Sequence, residues 1–187
     1  MFRSLVGVAL VAGCSGQSTA DSPAVAPAGI EVRDALGEVT VRVVAGRPCR
    51  AEVDGIELQI GAEPLVTMVG NVRWAGTTDG GETTLTRDGL RAAKIVVDGP
   101  RINILDDRGI PVIRLRTEGD TATALDAANT TVRTAVRSAT SIAVGDQVVT
   151  GTQDLLLAAL LTAHEIGPEV RALAACHRML LLQKSAP

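Results

Sequence analysis

From Ile30 onward the chain is a series of short alternations. Val39, Val41 and Val43 alternate with Thr40 and Arg42, and Ile56, Leu58 and Ile60 alternate with Glu57 and Gln59. Ile102 and Ile104 flank Asn103, Ile113 and Leu115 alternate with Arg114 and Arg116, and Val132, Thr134 and Val136 face away from Arg133 and Arg137. A period of two places one set of side chains in a core and the other in water, as in antiparallel sheets. The pattern changes at Asp154-Leu-Leu-Leu-Ala-Ala-Leu-Leu-Thr-Ala-His-Glu-Ile166. Between Leu155 and Leu161 no polar side chain occurs at any angle around a helix, so a helix here is buried on every side. It falls short of the roughly 20 apolar residues that cross a bilayer.

Turn chemistry fills the gaps between the alternating runs. Asp54-Gly55, Asp79-Gly80, Asp88-Gly89 and Asp98-Gly99 are hairpin signals, because glycine accepts the positive φ that tight turns require. Asp34-Ala-Leu-Gly37 and Asp106-Asp-Arg-Gly109 read as slightly longer hairpin loops, and the segments around them resemble each other weakly. The expected fold class is mainly β: an antiparallel barrel, or a sandwich, of about a dozen short strands. Asp154 is a good N-cap for the apolar helix and Gly167 should end it, leaving that helix as the core plug. Pro168 then opens a second, amphipathic helix to about Gln183, expected on the outside of the sheet or across one end. Its polar positions include Glu169, Arg171, His177, Arg178 and Lys184.

Composition narrows the partners. Hydrophobic residues make up 46% of the 187 residues and charged residues 21%, ordinary values for a globular chain. Tyr is absent, and Phe2 and Trp74 are the only residues of the Phe, Tyr and Trp class. Proteins that bind single-stranded nucleic acid stack bases on aromatic side chains. With a net charge of −3 as well, the chain is not expected to bind nucleic acid.

The N-terminus points to the envelope. Arg3 precedes an uninterrupted run of apolar or small residues ending in Val11-Ala12-Gly13-Cys14, the layout of a secretory signal. This resembles the lipobox of bacterial lipoproteins, which implies a signal peptide at 1–13, lipidation of Cys14 and a stable acyl anchor in the membrane. Ser15 rather than Asp follows the cysteine, which by family analogy favours the outer membrane. Residues 14–29, rich in Pro and small side chains, read as a flexible tether, and 30–187 as a single β-rich domain.

Repeated hairpins of the form strand, Asp-x-x-Gly, strand, followed by the helix Asp154–Ile166 with its wholly apolar core Leu155–Leu161, resemble the tubby-like architecture. That group includes tubby, the LURP-one-related proteins and the phospholipid scramblases. The resemblance covers about Glu31 to Ile166 and implies a closed antiparallel barrel of about twelve strands threaded by a hydrophobic helix. It also implies a lipid-binding or lipid-handling alternative. None of the group's headgroup-binding residues can be matched position by position.

Candidate chemistry is sparse. The mature chain has no G-x-S-x-G elbow, and both histidines lie in the helical tail. His164, Cys176 and His177 could be drawn as a catalytic or metal group, but they supply neither an oriented base nor the three or four ligands zinc takes. The plainer expectation is His164 at a helix C-terminus, where a cation is welcome, and His177 facing solvent. The turn aspartates lack the alternating spacing of a calcium loop. Asp106 and Asp107 are adjacent in a hairpin loop, a poor geometry for a paired acid and base, and Trp74 reads as core or half-buried. If Cys14 carries lipid, Cys49 and Cys176 are the two thiols left in an oxidising compartment. A disulfide between them would be worth about 4 kcal/mol in the chain-entropy model, and two separately buried thiols are the alternative. No cofactor and no metal are called for. The expectation is a non-enzymatic structural or interaction module of the cell envelope, with an unknown envelope protein or lipid as partner.

Overall fold

The computed structural model describes residues 29–61 and 64–184; the stretches read above as a signal peptide, a lipobox with Cys14 and nearly all of a tether lie outside the described residues. Four strands come first: β1 (Ile30–Arg33), β2 (Val39–Val44), β3 (Cys49–Val53) and β4 (Ile56–Ile60). Ten more follow, β5 (Leu65–Val69), β6 (Val72–Asp79), β7 (Glu82–Arg87), β8 (Leu90–Asp98), β9 (Arg101–Leu105), β10 (Pro111–Glu118), β11 (Thr121–Asp126), β12 (Thr131–Arg137), β13 (Ser141–Val144) and β14 (Gln147–Thr150). Two helices close the chain, α1 (Leu155–Leu161) and α2 (Pro168–Lys184).

The strands form one antiparallel meander in which β1 pairs back onto β14. The sheet's two free edges are β4 and β5, which are consecutive in the chain, so the meander runs nearly full circle into an almost closed barrel. At this seam the Gly61 N–H donates to the Val66 carbonyl at 2.9 Å. The strand count exceeds the expected dozen because β1, β13 and β14 have only four residues each, too few for alternation to register.

The alternating sets divide as the period of two requires on most strands. Val41, Val43, Leu58, Ile60, Ile102, Ile104, Ile113 and Leu115 are all buried in the barrel. On β12 the expected phase is inverted: Val132 and Val136 are exposed, whereas Ala135 is completely buried. The inward side of β12 meets α1, where the small Ala135 fits, and at the rim Arg133 turns in to a bidentate pair with Glu165 (2.8 and 2.9 Å). Space beside the helix and this ion pair together outweigh the valines' preference for burial.

The loops share one device. Asp34 Oδ1 accepts from the N–H groups of Leu36 and Glu38, and Asp106 Oδ1 does the same for Arg108 and Ile110. A third copy uses Asp126 with Ala128 and Thr130; there Asn129, at φ +63°, stands where Gly37 and Gly109 stand in the other two. Asp54-Gly55 and Asp88-Gly89 are true two-residue turns with both φ values positive. After Asp79 and Asp98 the turn falls one residue later, on Gly80-Gly81 and Gly99-Pro100.

All seven residues of α1 are buried, and each of its five leucines contributes about 2 kcal/mol of transfer free energy as an upper estimate. The helix stops earlier than Gly167. Thr162 donates its hydroxyl to the carbonyls of Ala158 and Ala159, back-bonding that competes with continued helix, and turns carry the chain from Thr162 to Gly167. The larger departure is α2. It lies inside the barrel against β2, β3 and β4, not outside the sheet. Every residue from Val170 to His177 is buried, because its polar residues find partners within the barrel or at its rim.

Candidate functional site

Cys49 points inward from β3 and Cys176 sits on the buried face of α2. The two sulfurs are bonded at 1.99 Å, with Cα atoms 6.1 Å apart and a sequence separation of 127. The bond ties α2 to the barrel wall and removes Cys176 from any thiol chemistry with His164 or His177.

His177 is 8% exposed, not solvent-facing as expected. Its Nδ1 lies 3.3 Å from the Thr83 hydroxyl, which in turn lies 3.0 Å from that of Thr78. A buried imidazole requires such polar partners, and Thr83 on β7, across the β4–β5 seam from the strands that α2 packs on, supplies one. His164 is exposed and lies beyond the end of α1. The cation that serves the C-terminus of α1 is instead Arg171, 1% exposed. Its Nη1 donates to the Leu161 carbonyl at 3.2 Å and lies 3.5 Å from His164 Nδ1, and its Nη2 pairs with the Asp54 carboxylate in the β3–β4 turn. Its Nε is buried without a hydrogen-bond partner. Sequence reasoning missed this role, since a lone Arg on an amphipathic pattern gives no sign of pointing inward.

Among the described residues, no three or more His, Cys, Asp or Glu side chains converge on a position that could hold a metal ion. Asp106 is committed to its loop. Trp74 is 6% exposed and faces Thr67 across the β5–β6 ladder. The barrel's lumen is thus taken up by two helices, a disulfide and a few buried polar groups, of which Arg171 Nε and Thr67 Oγ1 lack a hydrogen-bond partner.

The outer face offers more. A depression of about 470 Å³ crosses β8 to β11, lined by Arg101, Asn103, Arg114 and Arg116 with apolar Val96, Leu105, Pro111 and Leu125 around them. No acidic side chain lines it. Arg114 is anchored by its Nη1, which donates to Asn129 Oδ1 at 2.6 Å. Arg101 and Arg116 are exposed and make no salt bridge with any described residue. The alternation of Ile113 and Leu115 with Arg114 and Arg116 marks these arginines as outward-facing, but only strand pairing sets Arg101 beside them.

Family models, curated proteins and solved structures were all compared with the chain, and none matches it.

Proposed function

We propose that the chain is a membrane-anchored bacterial envelope lipoprotein whose barrel serves as a structural or interaction module, working through its outer surface. The observation that carries this reading is the filling of the lumen by α1 and α2, with Leu155 to Leu161 wholly buried. A barrel that carries a lipid needs an open interior of several hundred Å³, and in this barrel that space is occupied by its own leucines. The anchor rests on Val11-Ala12-Gly13-Cys14 and the short signal before it.

Two experiments test the two halves of the proposal. Labelled palmitate should enter the native protein and not Cys14→Ser; absence of label in the native protein would remove the anchor. Crosslinking the tethered protein in its own envelope should trap a discrete partner through outer-face residues, whereas recovery of extractable lipid from the purified barrel would favour the lipid-handling alternative.

A further inference from the structure

On the outer face of β8 to β11 the side chains fall into rows that run across the strands. One row sets Arg101 opposite Arg116 with Asp98 and Thr123 outside them, the next Asn103 opposite Arg114 with Val96 and Leu125 outside them, and the third Leu105 opposite Pro111 with Lys94, paired to Glu82, outside Leu105. The Thr117 N–H donates to the Pro100 carbonyl at 3.0 Å. This makes Arg101 and Arg116 a non-hydrogen-bonded pair, the kind whose Cα atoms approach to about 4.5 Å and whose side chains are closest. Like charges directly opposite one another destabilise a sheet. Asp98 and Glu118 share this face, yet neither forms a salt bridge with the two arginines. Such a pair is well suited to an anion shared between two guanidinium forks.

We propose that this face docks an extended acidic segment of a protein partner, with carboxylates at two alternate residues and an apolar side chain two residues further on. Along β9 the rows are one strand repeat apart, about 6.8 Å, which is also the i to i+2 spacing of an extended chain, and on β10 a register shift between Pro111 and Ile113 brings Pro111 level with Leu105. One carboxylate meets Arg101 and Arg116, the second meets Arg114 and Asn103, and the apolar residue covers Leu105 and Pro111. The depression of about 470 Å³ exceeds what a single small oxyanion fills, and its apolar end gives an ion alone nothing to bind. The inference rests on the interaction-module reading and names the partner chemistry for it.

The test is titration calorimetry of the full chain with a synthetic blocked pentapeptide carrying glutamate at its first and third positions and leucine at its fifth. Saturable binding is expected at low salt. It should weaken roughly tenfold in Arg116→Ala and in Arg101→Ala, and again as salt rises from about 0.05 M to about 0.5 M. Arg50→Ala, on the outer face of β3, should leave binding unchanged. Because both side chains are exposed and neither makes a salt bridge with a described residue, these variants should melt close to the native chain, so lost binding is read on folded protein. Equal affinity for the glutamine counterpart of the peptide, or indifference to both variants, overturns the proposal. So does binding to phosphatidylglycerol vesicles that needs the same arginines while the peptide gives no heat, since it assigns the face to a membrane. A crosslinked partner fully retained by the Arg101→Ala/Arg116→Ala double variant also overturns it, while leaving the interaction-module reading intact.

Discussion

The Asp154 carboxylate joins the two internal helices: Oδ1 accepts the Leu157 N–H at 2.8 Å, and Oδ2 accepts from Arg178 Nη2 at 2.8 Å. One side chain therefore starts α1 and holds α2 beside it. Replacing Asp154 with Ala removes an N-cap and strands a largely buried guanidinium, an expected loss of about 2–3 kcal/mol. Asn keeps the cap and loses the charge pair, for about 1 kcal/mol. Thermal melts of the two variants should separate accordingly; equal melts would show that the N-cap adds nothing, and a native melt for the Asn variant would show that the Arg178 pair adds nothing.

Closing a loop of 127 residues makes the Cys49–Cys176 bond a large restriction on the unfolded chain, about 4–5 kcal/mol in the entropy model. The Cys49→Ser/Cys176→Ser variant should melt well below the native protein. Both cysteines are 1% exposed or less, so reductant without denaturant should act slowly. Fast reduction under native conditions would mean that the barrel opens readily.

Asp54 and Arg171 form an unequal pair, since the Asp54 side chain is 41% exposed and that of Arg171 is 1% exposed. Losing the partner is costly only for the buried charge. Asp54→Asn, which retains a residue tolerant of φ +50°, should cost about 2–3 kcal/mol. Arg171→Met should cost less, because Asp54 remains hydrated and Met fills the apolar space. Denaturant midpoints in the opposite order would contradict this assignment.

Glu31 provides a pH dependence. Its hydrogen bonds from Arg42, and then from Arg33, hold its carboxyl below the usual value of 4.5. A lowered carboxylate pKa contributes stability above the unfolded-state value, and the contribution is lost as pH falls through the folded-state one. The melting difference between the native protein and Glu31→Gln should be constant near neutrality and shrink below about pH 4.5. A difference that grows on acidification would reverse the sign.

Leu157 is 1% exposed within the helix pair, so Leu157→Asp buries an unpaired charge and should abolish cooperative folding. A variant that kept its native circular dichroism and melt would place α1 outside the core.

Much of the barrel is legible along the chain because it is built from local rules. A tight turn and a two-residue period suffice to specify a hairpin, and hairpins in series make a meander. The loop aspartates are visible for the same reason, each bonding N–H groups within four residues. The inverted phase of β12 is not visible, because Val132 and Val136 look like core residues until α1 and the Arg133–Glu165 pair occupy the inward side. The arginine depression was half legible: Arg114 and Arg116 follow from alternation, and Arg101 joins them only through the register of β9 on β10.

What the sequence by itself determined is the antiparallel β architecture and the burial of Leu155 to Leu161, since a helix with no polar face has a single stable environment. The tertiary structure decided the site of α2. Arg171, His177 and Arg178 look like a solvent face because polarity alone records a demand for partners, not where they are met. Asp54, Thr83 and Asp154 meet that demand from 117, 94 and 24 residues away, and only the nearly closed barrel brings them within hydrogen-bonding distance.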